Sequence, residues 1–109
     1  MDLATAYHGT SQALVDFNAT VTSEPTYFMG LRTQCTHEQF SIQTPCGPAQ
    51  VIDNVALAPR VPVHPGDRIE VRGIMVHDPG KLPIVHWTHH DPAHRHPDGF
   101  IRFHDRTYA

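Results

Sequence analysis

From Ala13 to Val21 every odd position is apolar (Ala13, Val15, Phe17, Ala19, Val21), while Asp16, Asn18, Thr20 and Thr22 fall between them. Nine residues of strict period two predict a strand with one face buried and one face in water. The same pattern recurs in short pieces. "HEQFSIQT" places Phe40 and Ile42 on one face, "AQVIDNV" and "DRIEVRGIMV" are two further strands, and "LPIVHWT" is a fifth. Between them lie "PCGP", "ALAPRVPVHPGD" and "DPGK", in which proline and glycine end either regular structure within a few residues. "SEPTYFMGLRTQCT" reads as a loop or irregular hairpin, and "GFIRFHDRTY" as a final short strand or hairpin. Gly73, inside the fourth strand, marks a bulge or a sharp coil of the sheet.

No long helical period and no internal repeat is present, so the predicted fold class is all-β. Five short strands with Pro/Gly turns, the fourth entered through Pro65-Gly66-Asp67, fit a small five-stranded OB-type barrel with an irregular His-rich C-terminal segment. A short sandwich is the alternative. At 109 residues the chain makes one domain, 1–109, with residues 1–11 as a loosely held N-terminal arm or short helix.

Composition narrows the functional classes. A formal net charge of −3 gives no general attraction to a phosphate backbone, so any nucleic-acid contact needs a local patch. No stretch approaches the roughly 20 apolar residues of a membrane span. "MDLATAYHGT" lacks the basic and apolar regions of an export signal, which predicts a cytoplasmic chain as written, and a periplasmic or secreted one if a leader has been removed. Cys35 and Cys46 flank a strand on the order of 25 Å long, beyond the roughly 7 Å a disulfide allows between Cα atoms, so free thiols are expected unless the segment bends. Oligomeric state is not legible.

The chemistry is concentrated in "HWTHHDPAHRHPDG", His86 to Gly99, which holds five of the ten histidines, Asp91, Asp98, Arg95 and the single tryptophan. A helix would place His86, His89 and His90 on one face, but Pro83 and Pro92 argue against it, and Val85, Trp87 and Thr88 favour a strand. In an extended chain His86 and His90 point one way and His89 the other, so they converge only if the chain reverses, and Asp91-Pro92 supplies the turn. Two or three of His86, His89, His90 and His96, with Asp91, then form a sensible set for a divalent transition metal such as zinc. The competing readings are a structural loop in which the imidazoles and Asp91 bond the backbone, and a metal-free acid/base centre. Trp87 is expected to be at least half buried, as the largest contribution to a small core. Arg60 is a candidate anion clamp, although an arginine beside two prolines more often ties down a loop. His37 either joins the cluster across the barrel or faces water at an edge. Cys35, His37 and Cys46 as metal ligands lack a clear fourth.

"HEQF", "DNVALAPRV", "PGD", "VHWTHHDP" and "RHPDGF", with Tyr108 near the end, resemble a bacterial family catalogued as domain of unknown function 3465, over roughly residues 13 to 109. The resemblance implies a small OB-fold protein, often exported, and brings no established reaction. His37, Asn54, Arg60, His86, Trp87, His89, His90, Asp91, Arg95 and His96 match its pattern; His94 and His104 do not. Phe100 stands where the family usually has Trp, and Asp105 where it has Gly.

Three functions follow as expectations. The first is a metal-dependent hydrolase of phosphodiesters or small esters, with His89 and Asp91 at the reacting centre, Arg95 neutralising developing charge, and Arg60, Trp87 and His37 holding substrate. The second is a non-catalytic OB-type module for an oligonucleotide, peptide or small molecule, with a structural His cluster. The third is metal storage or sensing.

Overall fold

The computed structural model describes residues 2–9, 12–31, 34–78 and 80–109. Among them are one helix and eight strands: α1 (Leu3–His8), β1 (Ala13–Val21), β2 (Thr26–Met29), β3 (Thr36–Thr44), β4 (Gly47–Asn54), β5 (Arg68–Val76), β6 (Ile84–His86), β7 (Phe100–Phe103) and β8 (Arg106–Tyr108). Five of the strands close a barrel. β1 pairs with β3, β3 with β4, β4 with β6, β6 with β5, and β5 returns to β1. All these pairings are antiparallel except β4 with β6. This is the closed five-stranded barrel expected of an OB-type chain. The other three strands are additions: β2 extends the sheet beside β3, and the β7–β8 hairpin adds to β5.

The alternation seen in the sequence sets which face turns inward. Val15, Phe17, Ala19 and Val21 of β1, Phe40 and Ile42 of β3, Val51 of β4, Ile69, Val71 and Met75 of β5, Val85 of β6 and Ile101 of β7 form one buried cluster. Helix α1 is capped by the Asp2 carboxylate, which accepts the Thr5 N–H at 2.8 Å, and it packs Ala6 into that cluster. Tyr7 donates its hydroxyl to the Pro48 carbonyl at 2.8 Å, so the short helix is tied to the barrel.

No bulge interrupts β5 at Gly73: its register with β1 runs unbroken from Ala13↔Met75 to Thr20↔Arg68. What changes there is the partner on the other edge, from β7 at Glu70 to Arg72 to β6 at Ile74 to Val76. A Cβ at Gly73 would lie 2.6 Å from the His86 carbonyl oxygen, so glycine is what lets β6 come in. Cys35 and Cys46 sit at opposite ends of β3 and are not joined by a disulfide, as the span of that strand requires. The turn between β7 and β8 holds both His104 and Asp105 at positive φ, 52° and 61°. Asp105 therefore occupies a left-handed position of the kind that favours glycine. No helix among the described residues is long and apolar enough to cross a membrane.

Candidate functional site: a histidine-lined cleft on the barrel wall

β6 ends at His86, one residue before the tryptophan. Continued alternation would have sent Trp87 into the barrel, but its φ of 55° is left-handed and turns the indole outward. Trp87 keeps 37% of its surface exposed and lies outside the buried cluster, so it is more than half covered, as expected, without being a core residue. Its ring stacks with His86, centroids 4.4 Å apart and planes 19° apart, and with His96, 4.6 Å and 7° apart.

The chain then reverses at Asp91-Pro92, and Asp91 is what braces the turn. Its carboxylate accepts the backbone N–H groups of Ala93 at 2.9 Å, of His96 at 3.0 Å, and of Arg95. Burial pushes its pKa up, and the N–H donors of Arg95, Ala93 and His96 more than offset this, holding the carboxyl below its ordinary value. Asp98 accepts the Asp91 N–H at 3.1 Å, and Gly99 N–H reaches the His89 carbonyl at 2.9 Å, closing the segment at its base. Asp91→Ala is expected to free the amides of Ala93, Arg95 and His96 to exchange at rates near those of an open chain while the barrel amides stay protected; hydrogen exchange read residue by residue checks this.

Folded this way, the segment overhangs the outer face of β3 and β4. A cleft of about 580 Å³ lies between them, lined by His37, Ile52, Asn54 and Leu57 on one side and by His86, Trp87, His89, Asp91, Pro92, Ala93, Arg95 and His96 on the other. Three of its imidazoles are oriented alike. Nδ1 of His37 lies 2.9 Å from the Cys35 carbonyl, that of His89 2.9 Å from the His90 carbonyl, and that of His96 2.8 Å from the Pro97 carbonyl. A carbonyl only accepts, so each Nδ1 carries the proton and each Nε2 keeps its lone pair while the ring is neutral. His86 differs: its Nε2 is buried without a partner among the described residues. Burial first, then the nearby His96 and His89, push its pKa down, so the ring is neutral near pH 7 and resists protonation.

Most of the residues singled out from the sequence are brought together here, and some are not. His86, His89, His96, Asp91, Arg95, Trp87 and His37 line the cleft. His90 faces away and pairs with Asp98 at 2.9 Å. Arg60 lies over the Tyr27 ring, 4.5 Å from its centroid, and does not line the cleft, which is the loop-fastening role of an arginine among prolines. Among the described residues no three of His, Cys, Asp and Glu are placed to hold a metal ion together. Asp91, expected as the carboxylate ligand, accepts three main-chain N–H groups. Sequence reasoning passed over Glu38, Asp53 and Thr88, all fully buried. The signal was available: Glu38 shares the phase of Phe40 and Ile42, and Asp53 that of Val51, so both carboxyls fall on inward positions of their strands.

No curated protein and no solved structure matches the chain. The profile of a family described as protein of unknown function, DUF3465, matches residues 30–109, which span β3 to β8 and every residue of the cleft, and the chain belongs to that family.

Proposed function

We propose that the cleft is a binding site for a small ligand that joins a planar ring to a phosphate group, such as a nucleotide or the end of a short single strand. The observation that carries this reading is Trp87, turned out of the barrel by a left-handed backbone and held flat against two imidazoles within a cleft that also contains Arg95. An indole stacks on a planar base once His96 gives up its place on one face of the ring, and a guanidinium takes phosphate oxygens in a two-point contact. The Nε2 atoms of His37, His89 and His96 accept hydrogen bonds from a ligand when the rings are neutral. With a net charge of −3 the protein supplies no long-range attraction, so recognition falls to these local contacts and favours a small ligand over a long polyanion.

Trp87 is the chain's single tryptophan, so its emission reports on the cleft directly. In buffer containing a chelator, adenosine monophosphate is expected to change that emission saturably, with adenosine and inorganic phosphate each binding more weakly. Arg95→Ala should weaken adenosine monophosphate about tenfold or more and leave adenosine unaffected. An emission that none of the three alters would reject the reading.

A second reading, divalent metal binding with hydrolysis of a phosphodiester or small ester, is favoured by one feature. His89 and His96 have ring centroids 5.0 Å apart, and both donate Nδ1–H to a main-chain carbonyl, as metal-binding histidines do. A third donor is not placed with them among the described residues. Stoichiometric zinc in protein purified without a tag, lost in His89→Ala, together with zinc-dependent cleavage of bis(4-nitrophenyl) phosphate, would establish it. Metal-free protein whose melting temperature zinc leaves unchanged would remove it.

A further inference from the structure

Two carboxyl groups stand inside the barrel beneath the cleft. Glu38 of β3 and Asp53 of β4 are direct cross-strand partners, and neither exposes any surface to solvent. Cβ atoms of such partners lie roughly 5 Å apart, so the two acids share one environment. Each is fastened to a different wall. Glu38 accepts the Val61 N–H at 3.0 Å and the Tyr27 hydroxyl at 2.9 Å, which ties down the connection after β4 and the added strand β2. Asp53 Oδ1 accepts the Thr88 hydroxyl at 3.1 Å, and Thr88 sits between Trp87 and His89 at the root of the His-rich wall. The other oxygen, Oδ2, is buried without a partner among the described residues.

We propose that Glu38 and Asp53 are positioning residues for the cleft, and that a proton on Asp53 keeps the wall of residues 87–96 closed against the barrel. The groups facing the pair are Tyr27 from β2, Arg60 from the connection after β4 and Thr88 from the segment after β6; the imidazoles of His37, His86 and His89 line the cleft outside the barrel. Ionised Asp53 has one buried oxygen with no donor among the described residues, beside a second carboxyl. Lifting the wall at Thr88 admits water to that oxygen, so the charged form favours opening and the neutral form favours closure. Burial, with the Glu38 charge adding to it and the Thr88 hydrogen bond opposing, raises the closed-state pKa of Asp53 from 3.8 to about 7. Because the closed state holds the proton more tightly than an opened, hydrated one, opening grows as pH rises from about 4 towards 7 and levels off above.

The consequence for ligand affinity rests on the cleft being a ligand site; the test uses the free protein and does not. Amide hydrogen exchange across residues 87–96 is measured from pH 4.5 to 8 and corrected for the intrinsic pH dependence of exchange, in wild type, Asp53→Asn and Glu38→Gln, with circular dichroism verifying the fold of each. Wild-type protection is expected to fall at least about tenfold between pH 5 and pH 7.5, one proton allowing about tenfold per pH unit. Asp53→Asn, which keeps an acceptor for Thr88 without the charge, should show no fall, and Glu38→Gln should complete its fall at lower pH. A fall that persists in Asp53→Asn would assign the effect to the imidazoles and overturn the proposal, as would a flat wild-type profile or a Glu38→Gln profile superimposing on wild type. Failure of adenosine monophosphate to bind, with the exchange results as expected, would remove the ligand reading and leave the latch standing.

Discussion

Asp53→Asn is expected to make the whole protein more stable than wild type at pH 8 and to leave it nearly unchanged at pH 4. Asp53 is fully buried, and its pKa rises from 3.8 to about 7 on folding, mainly because the interior cannot solvate its charge. Between those two values the folded chain holds a proton that the unfolded chain has released. Wild-type stability therefore declines as pH climbs through this window, and above about 7 the full penalty is present. Every tenfold gain in proton affinity on folding corresponds to about 1.4 kcal/mol, so removing the charge should recover a few kcal/mol at pH 8 and only about 0.5 kcal/mol at pH 4, where the folded carboxyl is protonated and the unfolded one is near its midpoint. Chemical denaturation of both proteins across this range checks it. Equal stability differences at the two pH values would show that Asp53 folds without an altered affinity for its proton.

Gly99→Ala should be among the most damaging single-methyl changes available. A Cβ at Gly99 would overlap the carbonyl oxygens of Trp87 and Arg72 and press on the Thr88 Cα, all of them main-chain atoms that cannot rotate away. Gly99 also donates its N–H to the His89 carbonyl at 2.9 Å, the bond that closes the base of the His-rich segment. Overpacking against side chains costs roughly 1–3 kcal/mol, and backbone neighbours leave less room to relax, so a loss of about 3 kcal/mol or more is expected. The same substitution should shift the emission of Trp87, because its carbonyl is one of the atoms that must move. A stability within about 0.5 kcal/mol of wild type would mean the segment passes Gly99 less closely than described.

The five barrel strands were legible because each exposes one face and buries the other, so apolar residues recur at period two and proline and glycine mark the ends; β2, exposed at all four positions, carries no such pattern. Val15, Phe17, Ala19 and Val21 announced β1 in this way, and Phe40 and Ile42 announced β3. The reversal of the His-rich segment could be read too, since aspartate before proline bonds the amides that follow it, and Asp91 does so with Ala93, Arg95 and His96. These are properties of a few consecutive residues.

What depended on distant residues was not legible. Trp87 continues an apolar strand in the sequence, yet one left-handed φ, set where the chain must leave β6 to pass Gly73 and Gly99, moves it from the expected core to the cleft. His90, one residue from His89, turns to Asp98, while His37, some fifty positions away, joins the same cleft from β3. The inward phase of Glu38 and Asp53 was present in their strands, but their pairing required the register of β3 on β4, and the altered acidity of Asp53 required the closed barrel that keeps water out. The sequence by itself determined an all-β chain of short strands with a histidine-rich reversal after the last barrel strand, because hydrophobic alternation and turn chemistry are local. Only the tertiary structure decided which imidazoles share a cleft, where the tryptophan lies and which carboxyl holds its proton, because proximity and desolvation come from elements far apart in the chain.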